Sequence, residues 1–285
     1  MGSFALFFLC LTIACYAYRL CSFVYRYVRP SSLKDHLTDN AYAIITGATN
    51  GIGKALTFEL AVCGFNIILH GRDQFKLDEV KRQLHEIAPG RKVITLCQDG
   101  STAPVPGISA LNGLPVKVVV NNVGVGPVQP LLSLSTQEIN ETVALNVLFP
   151  THLTHIMLKQ EVPPSLIINI SSYTGLLPPP FLSVYAGTKA YNNAFSKSLS
   201  VELEHTSVMS VLTGSVHTRS NTKPVSFFRP DAATFAKSIL RMVGTKRKSV
   251  YPYWPHALQT AILSVLPAGF MDAKMREVMR REILR

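Results

Sequence analysis

The stretch Tyr42-Ala43-Ile44-Ile45-Thr46-Gly47-Ala48-Thr49-Asn50-Gly51-Ile52-Gly53 decides how the chain is read. Tyr42–Thr46 is a short run apolar on both faces, which suits a strand covered by helices on each side. Glycines then punctuate a turn, and Gly51–Cys63 continues at helical spacing. Strand, glycine-rich turn and helix in that order bring backbone N–H groups and a helix N-terminus up to a pyrophosphate. Glycine suits the turn because the backbone must bend tightly and approach the ligand with no Cβ between. Glycine-rich strings are common in turns, and the flanking strand and helix give this one its meaning.

Short β-branched runs alternate with helical stretches on the C-terminal side of this unit, the pattern of parallel βαβ units. Further strands are predicted at Asn66–His70, Lys92–Cys97, Val116–Asn121, Leu166–Ile170 and Met209–Thr213. Helices are predicted at Asp73–Ile87, Thr136–Gln160, Ser183–His205 and Asp231–Val243. The connection Gly100–Leu114 breaks the scheme, since Pro104, Pro106, Gly107 and Gly113 leave little room for a helix. The expected fold class is α/β, a Rossmann-type doubly wound parallel sheet in a single domain.

The chain has 285 residues, 47% hydrophobic and 16% charged, which excludes disorder, collagen and a disulfide scaffold. Its net charge of +11 is unevenly spread: residues 1–34 carry +4, residues 35–213 carry −2 and residues 214–285 carry +9. Basic ends around a near-neutral centre favour attachment to an anionic membrane surface over nucleic-acid binding. Met1–Tyr18 is uncharged and apolar, and Arg19, Arg26 and Arg29 follow it among aromatic residues. That order predicts a retained anchor with the following domain on the cytoplasmic side rather than a cleaved signal, which would carry its basic residues first. Three of the five cysteines lie in or beside this segment, and the rest show no metal-like pairing. At the other end, Ser249–Met271 is uncharged but interrupted by Pro252, Pro255 and Pro267. Met271, Met275, Val278, Met279 and Ile283 then recur at helical spacing among basic residues, as in an interfacial helix or a surface helix packed on the domain.

The second strand ends Leu69-His70-Gly71-Arg72-Asp73. An acidic residue at that tip would bind the ribose of NAD, whereas the Arg72 guanidinium suits the 2′-phosphate of NADP, with Asp73 free to cap the next helix. Three further motifs follow in order: Asn121-Asn122-Val123-Gly124, Ser171-Ser172 and Tyr185-Ala186-Gly187-Thr188-Lys189. Tyr185 and Lys189 are four residues apart and so share one helix face.

These motifs, together with the glycine loop, make residues 40–220 resemble the short-chain dehydrogenase/reductase family. The resemblance implies NADP(H) as cofactor, bound by Gly47, Thr49, Asn50, Gly51, Ile52, Gly53, Arg72, Asp99, Asn122, Tyr185, Lys189, Val216 and Thr218. It implies Tyr185 as proton donor to a carbonyl oxygen, Lys189 as the group that lowers its pKa and holds the nicotinamide ribose, and Ser172 as a hydrogen-bond donor to the same oxygen. Asn146 matches the family's helix asparagine that holds a relay water. The chain departs from the family at Thr213-Gly214-Ser215-Val216-His217-Thr218, where proline usually stands in place of Thr213.

The anchor and the tail Tyr251–His256 with Ala261–Phe270 resemble the membrane-bound branch of very-long-chain 3-oxoacyl-CoA reductases and 17β-hydroxysteroid dehydrogenases. That resemblance implies a membrane enzyme of the endoplasmic reticulum facing the cytosol, with a lipophilic small-molecule substrate, no metal, no nucleic acid and family analogy to a homodimer. The expected segments are an anchor with basic flank at 1–30, an NADP-binding catalytic domain at 36–248 and a membrane-associated tail at 249–285. The expected function is NADPH-dependent reduction of a 3-oxoacyl-CoA-like ketone. Alternatives are a steroid or sterol 17-keto/17β-hydroxy oxidoreductase, a secondary-metabolite ketoreductase, or a membrane-tethered NADP-binding scaffold without turnover.

Overall fold

The computed structural model describes residues 2–102 and 111–283. Seven strands, β1 (Tyr42–Thr46), β2 (Asn66–Gly71), β3 (Val93–Cys97), β4 (Val116–Asn121), β5 (Leu166–Ser172), β6 (Ser207–Thr213) and β7 (Ser249–Val250), form one sheet in the order β3-β2-β1-β4-β5-β6-β7. Every neighbouring pair is parallel. The order reverses between β1 and β4, and in open parallel sheets the crevice beyond the strand ends at such a reversal is where ligands bind.

Both faces of the strands are covered, which is why they read as apolar runs rather than alternating ones. Ala43, Ile45, Ile67, Leu69, Val118 and Val120 pack on one side, with Leu56 and Leu60 of α2 (Gly51–Val62) and Leu77 and Leu84 of α3 (Gln74–Ile87). Phe235 and Ile239 of α7 (Ala232–Arg241) join the same cluster. The intervening residues Ile44, Ile68, Val119 and Ile167 face the other way, against Phe149, Leu153 and Met157 of α5 (Phe149–Leu158) and Leu199 of α6 (Ser183–Glu202). Asp73 caps α3, accepting from the Lys76 N–H at 3.2 Å, and Asp231 caps α7, accepting from the Thr234 N–H at 2.7 Å.

The helix expected over Thr136–Gln160 is not continuous. It comprises α4 (Thr136–Val143), a π-helical turn at Ala144–Leu148, and α5. Pro150 has no backbone N–H, so the regular ladder cannot pass through it, and the wider turn just ahead takes up the mismatch. Asn146 lies in that turn. Strand β5 runs two residues beyond the predicted end, so Ser171 and Ser172 are its last residues rather than a following turn. The unpredicted β7 places the start of segment 249–285 within the sheet. The expectation for Gly100–Leu114 falls mostly on residues 103–110, outside the described residues.

The N-terminal helix α1 (Gly2–Val28) is long and apolar enough to cross a membrane, with mean hydropathy 1.8 over an 18-residue window within Phe4–Val28 and none of that window buried. Its end is fastened to the domain: the Tyr27 hydroxyl donates to Tyr251 O at 2.8 Å, and Arg29 Nη1 donates to Val243 O at 3.0 Å. Ser31 Oγ adds a bond to Leu240 O at 2.5 Å. At the other end α8 (Trp254–Ser264) and α9 (Ala268–Ile283) are separated at Pro267. Met279 of α9 is buried and Glu282 pairs with Lys223, while Leu258, Ile262, Val265 and Phe270 remain exposed.

Phe235 is fully buried between α7 and the sheet, so Phe235→Ala should cost about 3–5 kcal/mol, in line with large cavity-forming changes. Scanning calorimetry of the purified protein should show a lowered unfolding temperature; an unchanged one would contradict the packing described.

Candidate active site

The glycine loop leaves β1 and opens α2 at the point of strand reversal. Gly47 and Gly51 have φ of +65° and +53°, the left-handed region in which a side chain is strained. At Gly53 the constraint is space: a Cβ there would sit 2.3 Å from Gly47 O and 2.4 Å from Asn122 Nδ2. Asn122, just past β4, holds this fold of backbone together, its amide donating to Thr46 O at 2.9 Å. The Thr46 hydroxyl in turn accepts from the backbone N–H groups of Asn122 and Val123, at 2.9 and 3.1 Å. Asn122 therefore fixes the loop as well as lining the cavity in front of it.

That cavity, of about 320 Å³, brings Gly47, Asn50, Gly51 and Ile52 together with Asn122, Ser171, Tyr185, Lys189 and Thr218. Thr49 lies behind the loop, its methyl group against Gly71. Arg72 and Asp99 do not line that cavity; they stand just past the paired ends of β2 and β3. The exposed Arg72 guanidinium lies 3.9 Å from Asp99 Oδ2. Bonds from the Ser101 N–H and hydroxyl, at 2.9 and 2.8 Å, hold the Asp99 carboxyl below the usual carboxylate range.

Tyr185 and Lys189 sit one turn apart on α6. Burial pushes the Tyr185 phenol up to about 12, with the Ser172 hydroxyl pulling the other way. Burial also pushes the Lys189 ammonium down to about 8. These directions differ from the expectation that Lys189 lowers the tyrosine pKa. Lys189 Nζ donates to Ile170 O at 2.8 Å and lies 5.6 Å from the centre of the tyrosine ring, so desolvation dominates both groups. Ser172 Oγ donates to Thr213 O at 3.2 Å and accepts from the Thr174 hydroxyl at 2.9 Å, and Ser171 Oγ donates to Lys189 O at 2.7 Å.

Asn146 is fully buried, and its side chain is clasped to a neighbouring loop: Oδ1 accepts from the Val125 N–H at 2.9 Å, and Nδ2 donates to Val125 O at 2.7 Å and Thr188 Oγ1 at 3.0 Å. The π-helical turn aims the amide at that loop. Thr218 faces the cavity, whereas the Val216 side chain is buried in the core and its carbonyl accepts from Asn221 Nδ2 at 3.0 Å.

Gly126 escaped the reading of the sequence. A Cβ there would lie 2.4 Å from Tyr185 Cδ2, so the backbone at Gly126 rests directly on the tyrosine ring. Its only signal in the sequence was a second glycine two residues after Gly124. His256 also went unrecognised; it reaches from α8 to the turn after β6.

The residues present fit a dinucleotide. The left-handed glycines and the crowded Gly53 leave a backbone-lined cradle at the N-terminus of α2, and the cavity continues from it to Lys189 and Tyr185.

Comparison with known proteins agrees. The sequence profile of the short chain dehydrogenases matches residues 41–226. A very-long-chain 3-oxoacyl-CoA reductase of Caenorhabditis elegans is 33% identical over 91% of this chain and 88% of its own, and that of Rattus norvegicus is 35% identical over 79% and 75%. A putative steroid dehydrogenase of Caenorhabditis elegans is 31% identical over 89% and 84%. Among solved structures, a 7β-hydroxysteroid dehydrogenase superposes with a TM-score of 0.73 at 20% identity, covering 83% of this chain and 96% of that one. The fold is shared with that structure, and the matched profile and the relatives give the family: the chain belongs to the short-chain dehydrogenase/reductase family, whose oxidoreductases use a nicotinamide cofactor.

Proposed function

We propose that this protein is an NADPH-dependent reductase of a ketone on a lipophilic, 3-oxoacyl-CoA-like substrate. The observation that carries the reading is the convergence of Ser171, Tyr185 and Lys189 on the cavity that the glycine loop closes, with Ser172 directly behind. The bound cofactor supplies the hydride. At neutral pH the Tyr185 phenol, held protonated by burial, donates its proton to the carbonyl oxygen, and the Ser172 hydroxyl turns from Thr213 O to donate a hydrogen bond to the same oxygen. Lys189 holds the nicotinamide ribose and supplies positive charge as the phenolate forms. Asn146 and Gly126 set the surface on which the tyrosine ring rests.

The substrate class draws on the relatives' names and on a second cavity, of about 300 Å³, between Leu177, Pro178 and Pro180 and the apolar side chains Leu263, Leu266, Met271 and Met275. Such walls suit an acyl chain. The steroid dehydrogenase relative keeps a keto/hydroxysteroid as the second substrate reading. α1 serves as the membrane anchor, with the domain on the cytosolic face of the endoplasmic reticulum and α8 and α9 lying against the membrane. The adenosine end uses Arg72 to favour NADPH over NADH. Pairing of two copies through α4, α5 and α6 follows the family's habit.

NADPH oxidation measured with a panel of long-chain 3-oxoacyl-CoAs and ketosteroids should give its highest kcat/KM on a long-chain 3-oxoacyl-CoA. Tyr185→Phe should abolish turnover by at least ~10²-fold, the lower end for loss of a general acid; undiminished turnover would refute the proton-donor role. Arg72→Ala should raise KM for NADPH by about tenfold, the value of a charge-assisted bond, and leave KM for NADH unchanged. Equal or better rates of the unmodified protein with NADH would sink the assignment. Lys189 is charged below about pH 8 and loses its charge above it. Reduction should therefore be steady from pH 6 to 7 and decline as pH rises through about 8; a flat profile to pH 10 would remove Lys189 from the mechanism.

A further inference from the structure

We propose that His256, carried by the C-terminal tail, is a positioning residue for nicotinamide binding, bracing the turn Thr213–Thr218 where this chain lacks the family's proline. The proposal rests on the function proposed above, in which the cavity that Thr213 and Thr218 line with Tyr185 and Lys189 receives the nicotinamide.

His256 is buried in the first turn of α8, 42 residues beyond the turn it meets. Its Nδ1 lies 3.3 Å from the Gly214 backbone nitrogen, and its Nε2 lies 3.1 Å from Ser215 O and 3.2 Å from Phe228 O. A backbone N–H can only donate and a carbonyl can only accept, so Nδ1 is the acceptor and Nε2 carries the proton. One neutral ring thereby joins the turn after β6 to the end of the loop that returns from it. Burial pulls the imidazole pKa below its ordinary value against the two carbonyl bonds, which keeps the ring in the neutral form this arrangement needs. The ring leans on Tyr253 and Phe235, with centroids at 5.2 and 5.6 Å.

Gly214 is shaped to this contact. A Cβ at that position would lie 2.7 Å from His256 Cγ and Cδ2, so only a glycine lets the imidazole lie flat on the turn. The same turn touches the reacting groups: Thr213 O accepts from Ser172 Oγ at 3.2 Å, and Thr213 and Thr218 both line the cavity with Lys189 and Tyr185. Proline in place of Thr213 would stiffen the turn through its fixed φ. Here the stiffness comes from hydrogen bonds supplied by a distant segment, which makes the tail part of the cofactor site.

The test uses the full-length protein in detergent micelles, with dissociation constants read from the fluorescence of bound NADPH. 2′-Phospho-ADP-ribose, which lacks the nicotinamide, serves as a competing probe. His256→Phe keeps a ring of similar size but neither bond. It should raise Kd for NADPH about tenfold, the effect of an unpaired buried N–H, and leave the fragment's Kd unchanged. KM for NADPH should rise with it, while kcat at saturating NADPH falls less. His256→Asn places an amide oxygen near the Nδ1 position and should restore NADPH affinity to within about threefold of the unmodified protein, since the Gly214 bond is remade. Gly214→Ala, which drives the ring off the turn, should reproduce the phenylalanine result and decides the matter if His256→Phe does not fold. Unchanged NADPH affinity in these variants, or equal weakening of NADPH and the fragment, would overturn the proposal. NADH with ADP-ribose is run alongside, so that a wrong assignment of Arg72 shows as a cofactor preference in the unmodified protein and leaves the His256 comparison intact.

Discussion

Everything in the site hangs on how closely β1 and β4 can end beside one another. Parallel pairing brings Ile45 opposite Val120, and one residue later the Thr46 hydroxyl holds two backbone N–H groups just past the end of the strand next door. The chain must then double back over the sheet edge to begin α2, passing so near Asn122 that only hydrogen fits at Gly53. Loosening this contact would shift the glycine cradle, the N-terminus of α2 and one wall of the cavity together, because all three are continuations of the same two strands.

Around that framework the polar groups are arranged by burial more than by attraction between charges. Among the described residues the Lys189 ammonium donates to a single partner, Ile170 O, and burial makes it easily discharged. Tyr185 sits between α6 and the backbone at Gly126, where its ionised form is penalised. A weak acid kept protonated beside a marginal base holds its proton until negative charge develops in front of it, and then can hand it on. The opposing pulls on the phenol, burial upward and Ser172 downward, set how readily that occurs.

Much of this was legible in the order of residues. Strand-turn-helix around Gly47–Gly53 is a local pattern, and so are the shared helix face of Tyr185 and Lys189 and the capping aspartates at 73 and 231. Contacts between distant segments were not legible. The interruption at Ala144–Leu148 depends on how Pro150 and the Val125 loop are accommodated at once, and helical periodicity is blind to it. Gly126 and Gly214 look like ordinary loop glycines until a ring from another helix is seen lying on each. The four-residue spacing of Tyr185 and Lys189 gives proximity, but it says nothing about how deeply the phenol is buried or where the ammonium points.

The fastening of α1 has a mechanical meaning. Tyr27, Arg29 and Ser31 bond to carbonyls of Tyr251, Val243 and Leu240, which belong to the rim of the sheet and the end of α7. A helix joined by a loose linker acts as a leash and leaves the body it holds free to roll. One whose last turn and the residues just after it are bonded in this way acts as a handle, transmitting tilt. With α1 in a bilayer, the domain would keep one pitch and one height above the lipid, so the mouth of the cavity would face a constant depth of membrane however the enzyme diffuses.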